Sequence, residues 1–173
     1  MKDLKGKKIL MVIAHQNFRD EEYEIPHQIL ENKGIEITVA SSSLDEAAGK
    51  LGMKVKPDLL LEDVEIEEYD GVVFIGGPGA SEYFSNPVAL DLAKKAYEER
   101  KVVAAICIAP SILAKAGILA GKKATAFPSE TQNLKAKGAI YTGQASQKDG
   151  NIITANGPQA AGEFSQKIIE ALS

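Results

Sequence analysis

Lys101-Val-Val-Ala-Ala-Ile-Cys107-Ile-Ala-Pro-Ser-Ile-Leu-Ala-Lys115 joins two patterns within one short span. Its first half is apolar without alternation, as a strand buried on both faces should be. Its second half opens on Pro110, a residue suited to a first helical turn, and reads as a helix to Lys115. Cys107 stands between them, with Ala105 and Ala109 two positions to either side. A sharp strand–turn–helix elbow needs such small neighbours, because larger side chains collide at the turn. A sulfur there would lie near a helix start, where unpaired N–H groups favour thiolate. The Ile108 N–H would be free to face a developing oxyanion. A lone cysteine is also often a small core hydrophobe, so Cys107 is either an idle core residue or the centre of the chemistry.

Outward from this segment the chain alternates strands and helices. Lys8 to Ala14 is another continuous apolar run. Asp20 is placed to cap a helix through about Lys33, with Gly34 as its stop. A short strand follows at Ile35 to Ala40. Polar, flexible residues run from Ser41 to Lys56, and the pattern to Glu68 assigns no element. Gly71 to Ile75 reads as a buried strand ending in Gly76-Gly77-Pro78-Gly79. Asn86-Pro87 opens a helix to about Arg100. Lys122 to Phe127, Ala139 to Thr142 and Ile152 to Ala155 read as further strands, with Asp149-Gly150 as a hairpin turn. Pro158 opens a terminal helix whose Phe164, Ile168 and Leu172 share one face. The alternation predicts one α/β domain over residues 1–173, a mostly parallel sheet between helix layers. Ligands in such folds bind beyond the carboxyl ends of the strands. The residues leaving those ends are His15, Gly76-Gly77, Cys107, Phe127 or Pro128, and Asn156-Gly157.

Composition excludes several function classes. One cysteine among 173 residues forms no intramolecular disulfide and no multi-cysteine zinc site. A net charge of −4 carries no global footprint for nucleic acid. No apolar run approaches the ~20 residues that cross a bilayer. The start, Met1 to Lys8, is charged and lacks a signal-peptide cleavage pattern, so a cytoplasmic location is expected. His15 and His27 are the two histidines, and Glu24-x-x-His27 is too small a ligand set for a metal. Neither metal nor cofactor is expected. Gly77-Pro-Gly79-Ala-Ser-Glu82 lacks the third glycine of a dinucleotide fingerprint.

Helix one carries one carboxylate on an unusual face. Glu21, Glu24, Gln28 and Glu31 form a solvated stripe, whereas Glu22 shares its stripe with Ile25, Pro26 and Ile29. A carboxyl packed toward the sheet is desolvated, which raises its pKa unless it is paired. Pro26 lacks the N–H that would bond the Glu22 carbonyl, so a bend is expected there. His15 is either an exposed loop histidine or a proton carrier on the rim.

Phe18-Arg-Asp-Glu-Glu22-Tyr-Glu-Ile-Pro26, Gly76-Gly77, Ala105-Ile-Cys107-Ile-Ala-Pro110 and Asp149-Gly-Asn-Ile-Ile-Thr-Ala-Asn-Gly-Pro158 occur in that order. Together they resemble the DJ-1/PfpI family of the class I glutamine-amidotransferase-like superfamily. The resemblance implies a flavodoxin-like three-layer sandwich, a homodimer or larger homo-oligomer, and a small-molecule substrate, with no nucleic acid or membrane partner. It implies that Cys107 is the reactive cysteine and Glu22 the acid hydrogen-bonded to it. It further implies that the N–H groups of Gly77 and Ile108 form an oxyanion-binding pocket, to which the strand-end placement adds His15, Gly76, Phe127 and Asn156 as candidate pocket residues. PfpI-type members carry histidine directly after the cysteine, where this chain has Ile108. DJ-1 brings a histidine from the position matching Phe127. Neither imidazole is present, so the Cys–His pair of a peptidase is missing at both places.

Three functions follow. In the first, Cys107 attacks a reactive carbonyl or acyl carbon while Glu22 shuttles the proton, in glyoxalase, deglycase or hydrolase chemistry. In the second, an exposed low-pKa Cys107 serves as a redox sensor or stress-protective group. In the third, the pocket serves only binding or assembly.

Overall fold

The computed structural model describes residues 3–173, so Met1 and Lys2 of the charged start lie outside the described residues. The chain order begins β1 (Lys8–Val12), β2 (Gln16–Phe18), α1 (Asp20–Glu31), β3 (Glu36–Ser41), β4 (Ala47–Gly49), β5 (Lys54–Val55), β6 (Leu59–Leu60) and β7 (Gly71–Phe74). It continues α2 (Pro87–Glu98), β8 (Val102–Ile106), α3 (Pro110–Lys115), β9 (Lys123–Ala124), α4 (Thr131–Ala136), β10 (Ile140–Tyr141), β11 (Ser146–Asp149), β12 (Ile152–Ala155) and α5 (Ala161–Leu172). The central sheet has the strand order β11-β12-β8-β7-β1-β3-β6. Its pairs are parallel except β11 with β12, which form a hairpin across Gly150-Asn151. This is the mostly parallel α/β sandwich that the alternation predicted.

Period-two side-chain alternation divides the apolar residues between two cores. Leu10, Val12, Val72, Phe74, Val103 and Ala105 meet the α2–α3–α4 side. Ile9, Met11, Val73, Ala104 and Ile106 meet α1 and α5 on the other, where Phe164, Ile168 and Leu172 are all buried. Asn86 caps α2 as expected, its Oδ1 accepting from the N–H of Val88 at 2.9 Å and of Ala89 at 3.2 Å. No helix among the described residues is long and apolar enough to cross a membrane.

The structure differs from the sequence expectation in several places. Lys122–Phe127 and Ala139–Thr142 shrink to β9 and β10, which pair with each other outside the central sheet. Beyond β9, the Thr125 N–H donates to Thr154 Oγ1 at 2.9 Å, so a side chain takes the place of a ladder carbonyl. Helix α1 ends at Glu31, short of the expected Lys33, and contains Pro26. Asp20 does not cap that helix. Its buried carboxylate instead accepts the N–H groups of Leu51 and Met53, each at 2.9 Å.

These bonds order the segment that reads as flexible polar chain. It holds β4 and β5, which join β2 in a three-stranded sheet. Gly49 leaves room for the Asp20 carboxylate, since a Cβ there would lie 2.5 Å from its Oδ1. Asp20→Ala leaves two N–H groups to water or to nothing, a loss of about 2–3 kcal/mol. Urea unfolding should show it, together with faster amide exchange at Leu51 and Met53. A change below about 0.5 kcal/mol, the usual scatter of surface substitutions, contradicts this role for Asp20.

Candidate functional site

The parallel strands β1, β7, β8 and β12 bring one set of residues to their carboxyl ends. The fully buried β8 passes straight into Cys107, whose φ of +65° lies in the left-handed region. A non-glycine residue rarely adopts it, and here two main-chain bonds hold it. The Cys107 N–H donates to the Ala155 carbonyl at 2.9 Å, and its carbonyl accepts the Phe127 N–H at 2.8 Å. Ala105 and Ala109 beside it are fully buried, as a tight elbow requires. Cys107 itself is 9% exposed.

Glu22 lies beneath the elbow and is 0% exposed. Its Oε1 is one of the atoms packed closest around Gly76: a Cβ on Gly76 would come within 2.5 Å of it and 2.6 Å of Cys107 Cβ. Cys107 and the Gly76 N–H are its polar neighbours, yet neither carboxyl oxygen completes a hydrogen bond. Burial therefore dominates, and it lifts the Glu22 carboxyl to about 7, with Cys107, Arg19 and Gly76 opposing only in part.

The sulfur is displaced in the direction opposite to the sequence expectation. Burial pushes the Cys107 thiol up to about 12, and the Glu22 charge pushes the same way. The N–H groups of Gly77 and Ile108 draw it down but are outweighed. Desolvation of a thiolate beside a carboxylate exceeds what two amide dipoles return. Near neutrality the thiol therefore keeps its proton, while Glu22 beside it is midway through its titration.

Gly77 adopts φ +101°, and a Cβ there would lie 2.3 Å from the Arg19 nitrogen. The preceding carbonyl, of Gly76, accepts that Arg19 N–H at 2.8 Å. These glycines let the β2–α1 connection dock on the loop after β7, which carries Glu22 to Cys107. The sequence-predicted Cys107, Glu22, Gly76, Gly77 and Ile108 therefore come together.

The other predicted pocket residues stand further out. Phe127 is 44% exposed and joins the elbow through its N–H. Asn156 is half-buried, beyond the Ala155 carbonyl that holds Cys107. His15 is half-buried on the rim, and its main-chain N–H donates to the Glu82 carboxylate at 2.9 Å. Its Nδ1 is buried without a partner. His27 stacks at a tilt on Tyr23, 5.3 Å between ring centres.

Sequence reasoning missed Arg19. Its guanidinium makes two 2.9 Å bonds to Glu21 and is close enough for its charge to be felt at Glu22. Its only sequence signal is its place just ahead of the acidic first turn. Among the described residues no three His, Cys, Asp or Glu side chains converge to hold a metal ion. A groove of about 500 Å³ between Leu61 and α2 is lined by Glu62, Val88 and Lys95 and by no thiol, hydroxyl or imidazole.

The model of the DJ-1/PfpI family matches residues 7–171. The protein MJ0967 of Methanocaldococcus jannaschii is 40% identical over 98% of this chain and 84% of its own length. The deglycase PH1704 of Pyrococcus horikoshii is 34% identical over 87% of this chain and 90% of its own. The crystal structure of a ThiJ/PfpI domain protein from Brachyspira murdochii superposes with a TM-score of 0.94. It is 34% identical, and the match covers 97% of each chain.

Proposed function

The chain belongs to the DJ-1/PfpI family, and from that premise we propose that it is a cysteine-dependent enzyme acting on small reactive carbonyl compounds. Cys107 is the nucleophile and Glu22 the proton carrier. The observation that carries this reading is the buried, unpartnered Glu22 carboxyl against Cys107, beside the N–H groups of Gly77 and Ile108. The deglycase name of the Pyrococcus relative points to the same substrate class.

The chemistry balances without any further reagent but water. Sγ bonds to the aldehyde carbon of a 2-oxoaldehyde, and the thiol proton passes to Glu22. The carbonyl electron pair moves to oxygen, where the Gly77 and Ile108 N–H groups hold it. Glu22 then returns the proton to that oxygen, giving a hemithioacetal. A proton shift from this carbon to the neighbouring carbonyl carbon, with the hydroxyl proton passing to the neighbouring oxygen, gives a thioester. Water releases it as a 2-hydroxy acid and restores the thiol.

Two other readings fit less well. A sensor needs an accessible low-pKa thiol, whereas Cys107 is buried and its thiol is pushed up. A peptidase needs an acid for a leaving amine, and Ile108 and Phe127 occupy the places where the family carries imidazole. The same reading includes a homodimer or larger homo-oligomer, which light scattering in solution measures. Wild-type protein should convert methylglyoxal to lactate, and Cys107→Ala should not. No lactate from wild type, or equal lactate from both, overturns the proposal.

A further inference from the structure

Behind the elbow, the first turn of α3 meets the turn that precedes α4. Glu130 lies between them and is 8% exposed. Its Oε1 accepts from Ser111 Oγ at 2.6 Å and from Asn133 Nδ2 at 3.1 Å, and its Oε2 accepts from Ser129 Oγ at 2.6 Å. Asn133 Nδ2 also approaches Ser111 Oγ at 3.3 Å. Every one of these donors is neutral. A buried carboxylate without a cation is weak cement, because apolar packing often stabilises as well.

Its connections give it another role. The Ser111 N–H donates to the Ile108 carbonyl at 3.1 Å, and the Glu130 N–H to the Phe127 carbonyl at 2.8 Å. The Phe127 N–H donates to the Cys107 carbonyl at 2.8 Å. These bonds close a ring from Cys107 through Ile108, Ser111, Glu130 and Phe127 back to Cys107. All its links are main-chain except one, the Ser111–Glu130 pair. Cys107 sits in that ring with its left-handed φ, and Ile108 is the next residue along.

We propose that Glu130 is a positioning residue for the elbow: through Ser111 it holds the first turn of α3 so that the Ile108 N–H stays aimed at the Cys107 sulfur and at the oxygen of a bound carbonyl. The catalytic half of this statement rests on the function proposed above; the geometric half does not. The charged groups that act on Cys107 are Glu22 on α1 and Arg19 just before it. Glu130 forms no hydrogen bond to the sulfur, so its influence runs through the turn.

Alkylation of Cys107 by iodoacetamide across pH, with Tm and methylglyoxal kinetics, tests this in Ser111→Ala, Glu130→Ala and Glu130→Gln. Ser111→Ala removes one hydroxyl and leaves Glu130 bonded to Ser129 and Asn133. Ser111→Ala and Glu130→Ala should slow alkylation at neutral pH by roughly 3–10-fold, because a misaimed N–H no longer favours thiolate. Their kcat should fall roughly 10–100-fold with KM within about twofold, as when an oxyanion donor is lost. Glu130→Gln keeps the Ser111 bond and should stay within about twofold of wild type in both measurements.

Faster alkylation in both Glu130 variants alike would overturn the proposal in favour of a through-space charge effect. A lower Tm with unchanged alkylation and kcat would overturn it in favour of a purely structural role. Slowed alkylation in Ser111→Ala, with no carbonyl turnover even in wild type, upholds the positioning and overturns the proposed function alone.

Discussion

Glu22→Gln is expected to gain about 3 kcal/mol of stability over wild type between about pH 4 and pH 8, while carbonyl turnover falls at least about 100-fold. The Glu22 carboxyl rises from an ordinary 4.5 to about 7 on folding, first because of burial. Below the unfolded value both states hold the proton, and folding is indifferent to pH. Between the two values the unfolded chain ionises while the folded protein stays protonated, so stability falls as pH rises. Each unit costs about 1.36 kcal/mol, and the loss is complete above the folded value. Glutamine has no charge to bury, so the variant escapes this decline. It also has no site for the thiol proton, so the same change removes turnover. Wild-type turnover should rise with pH through about 7, as Glu22 gains the charge that accepts the proton. Urea unfolding at the two pH values and a methylglyoxal pH profile check both halves. Parallel stability curves for the two proteins would show that Glu22 is not desolvated in solution.

Gly79→Ala should destabilise the fold by about 3 kcal/mol or more and scatter the site with it. Its Cβ would lie 1.7 Å from the Gln16 carbonyl oxygen and 2.9 Å from Ala14 Cβ. One of these is backbone and cannot swing aside, so β2 has to move. Gly77→Ala meets the Arg19 nitrogen at 2.3 Å with φ at +101°, which adds about 1 kcal/mol of backbone strain. Displacing this connection moves α1, and with α1 goes Glu22. Both variants should therefore lose Tm and alter the alkylation profile of Cys107 together. Gly162→Ala is the contrast: nothing lies within 4 Å of its new Cβ, and it sits in α5. That variant should be neutral or more stable by up to about 1 kcal/mol. If Gly79→Ala matches it in Tm, the β2–loop contact has room for a methyl group.

The legible parts of this protein are those where a local pattern has one physical outcome. Lys8–Val12, Gly71–Phe74 and Val102–Ile106 read as doubly buried strands because they carry no alternation, and each lies in the sheet. Asn86-Pro87 reads as a helix start because an amide cap and a fixed φ act within one turn. Cys107 between two alanines reads as an elbow for steric reasons that are equally local. Asp20 reads locally as a cap because a cap and a distant acceptor use the same carboxylate. Only the fold brings the N–H groups of Leu51 and Met53 to it.

The same distinction separates the site's composition from its chemistry. One cysteine leaving a buried strand at a tight turn, and Glu22 facing inward on its helix, are both readable along the chain. Those facts follow from side-chain size and helical period, which act over a few residues. The protonation of the pair depends on packing contributed by the whole fold. Placing Glu22 out of water against Cys107 lifts both groups, and so reverses the low-pKa thiol expected from the turn alone. Desolvation depends on everything packed around an atom, and Gly76, Arg19 and the elbow come from separate parts of the chain. The Ser111–Glu130 link has the same origin, since it joins residues 19 apart whose spacing carries no local signal.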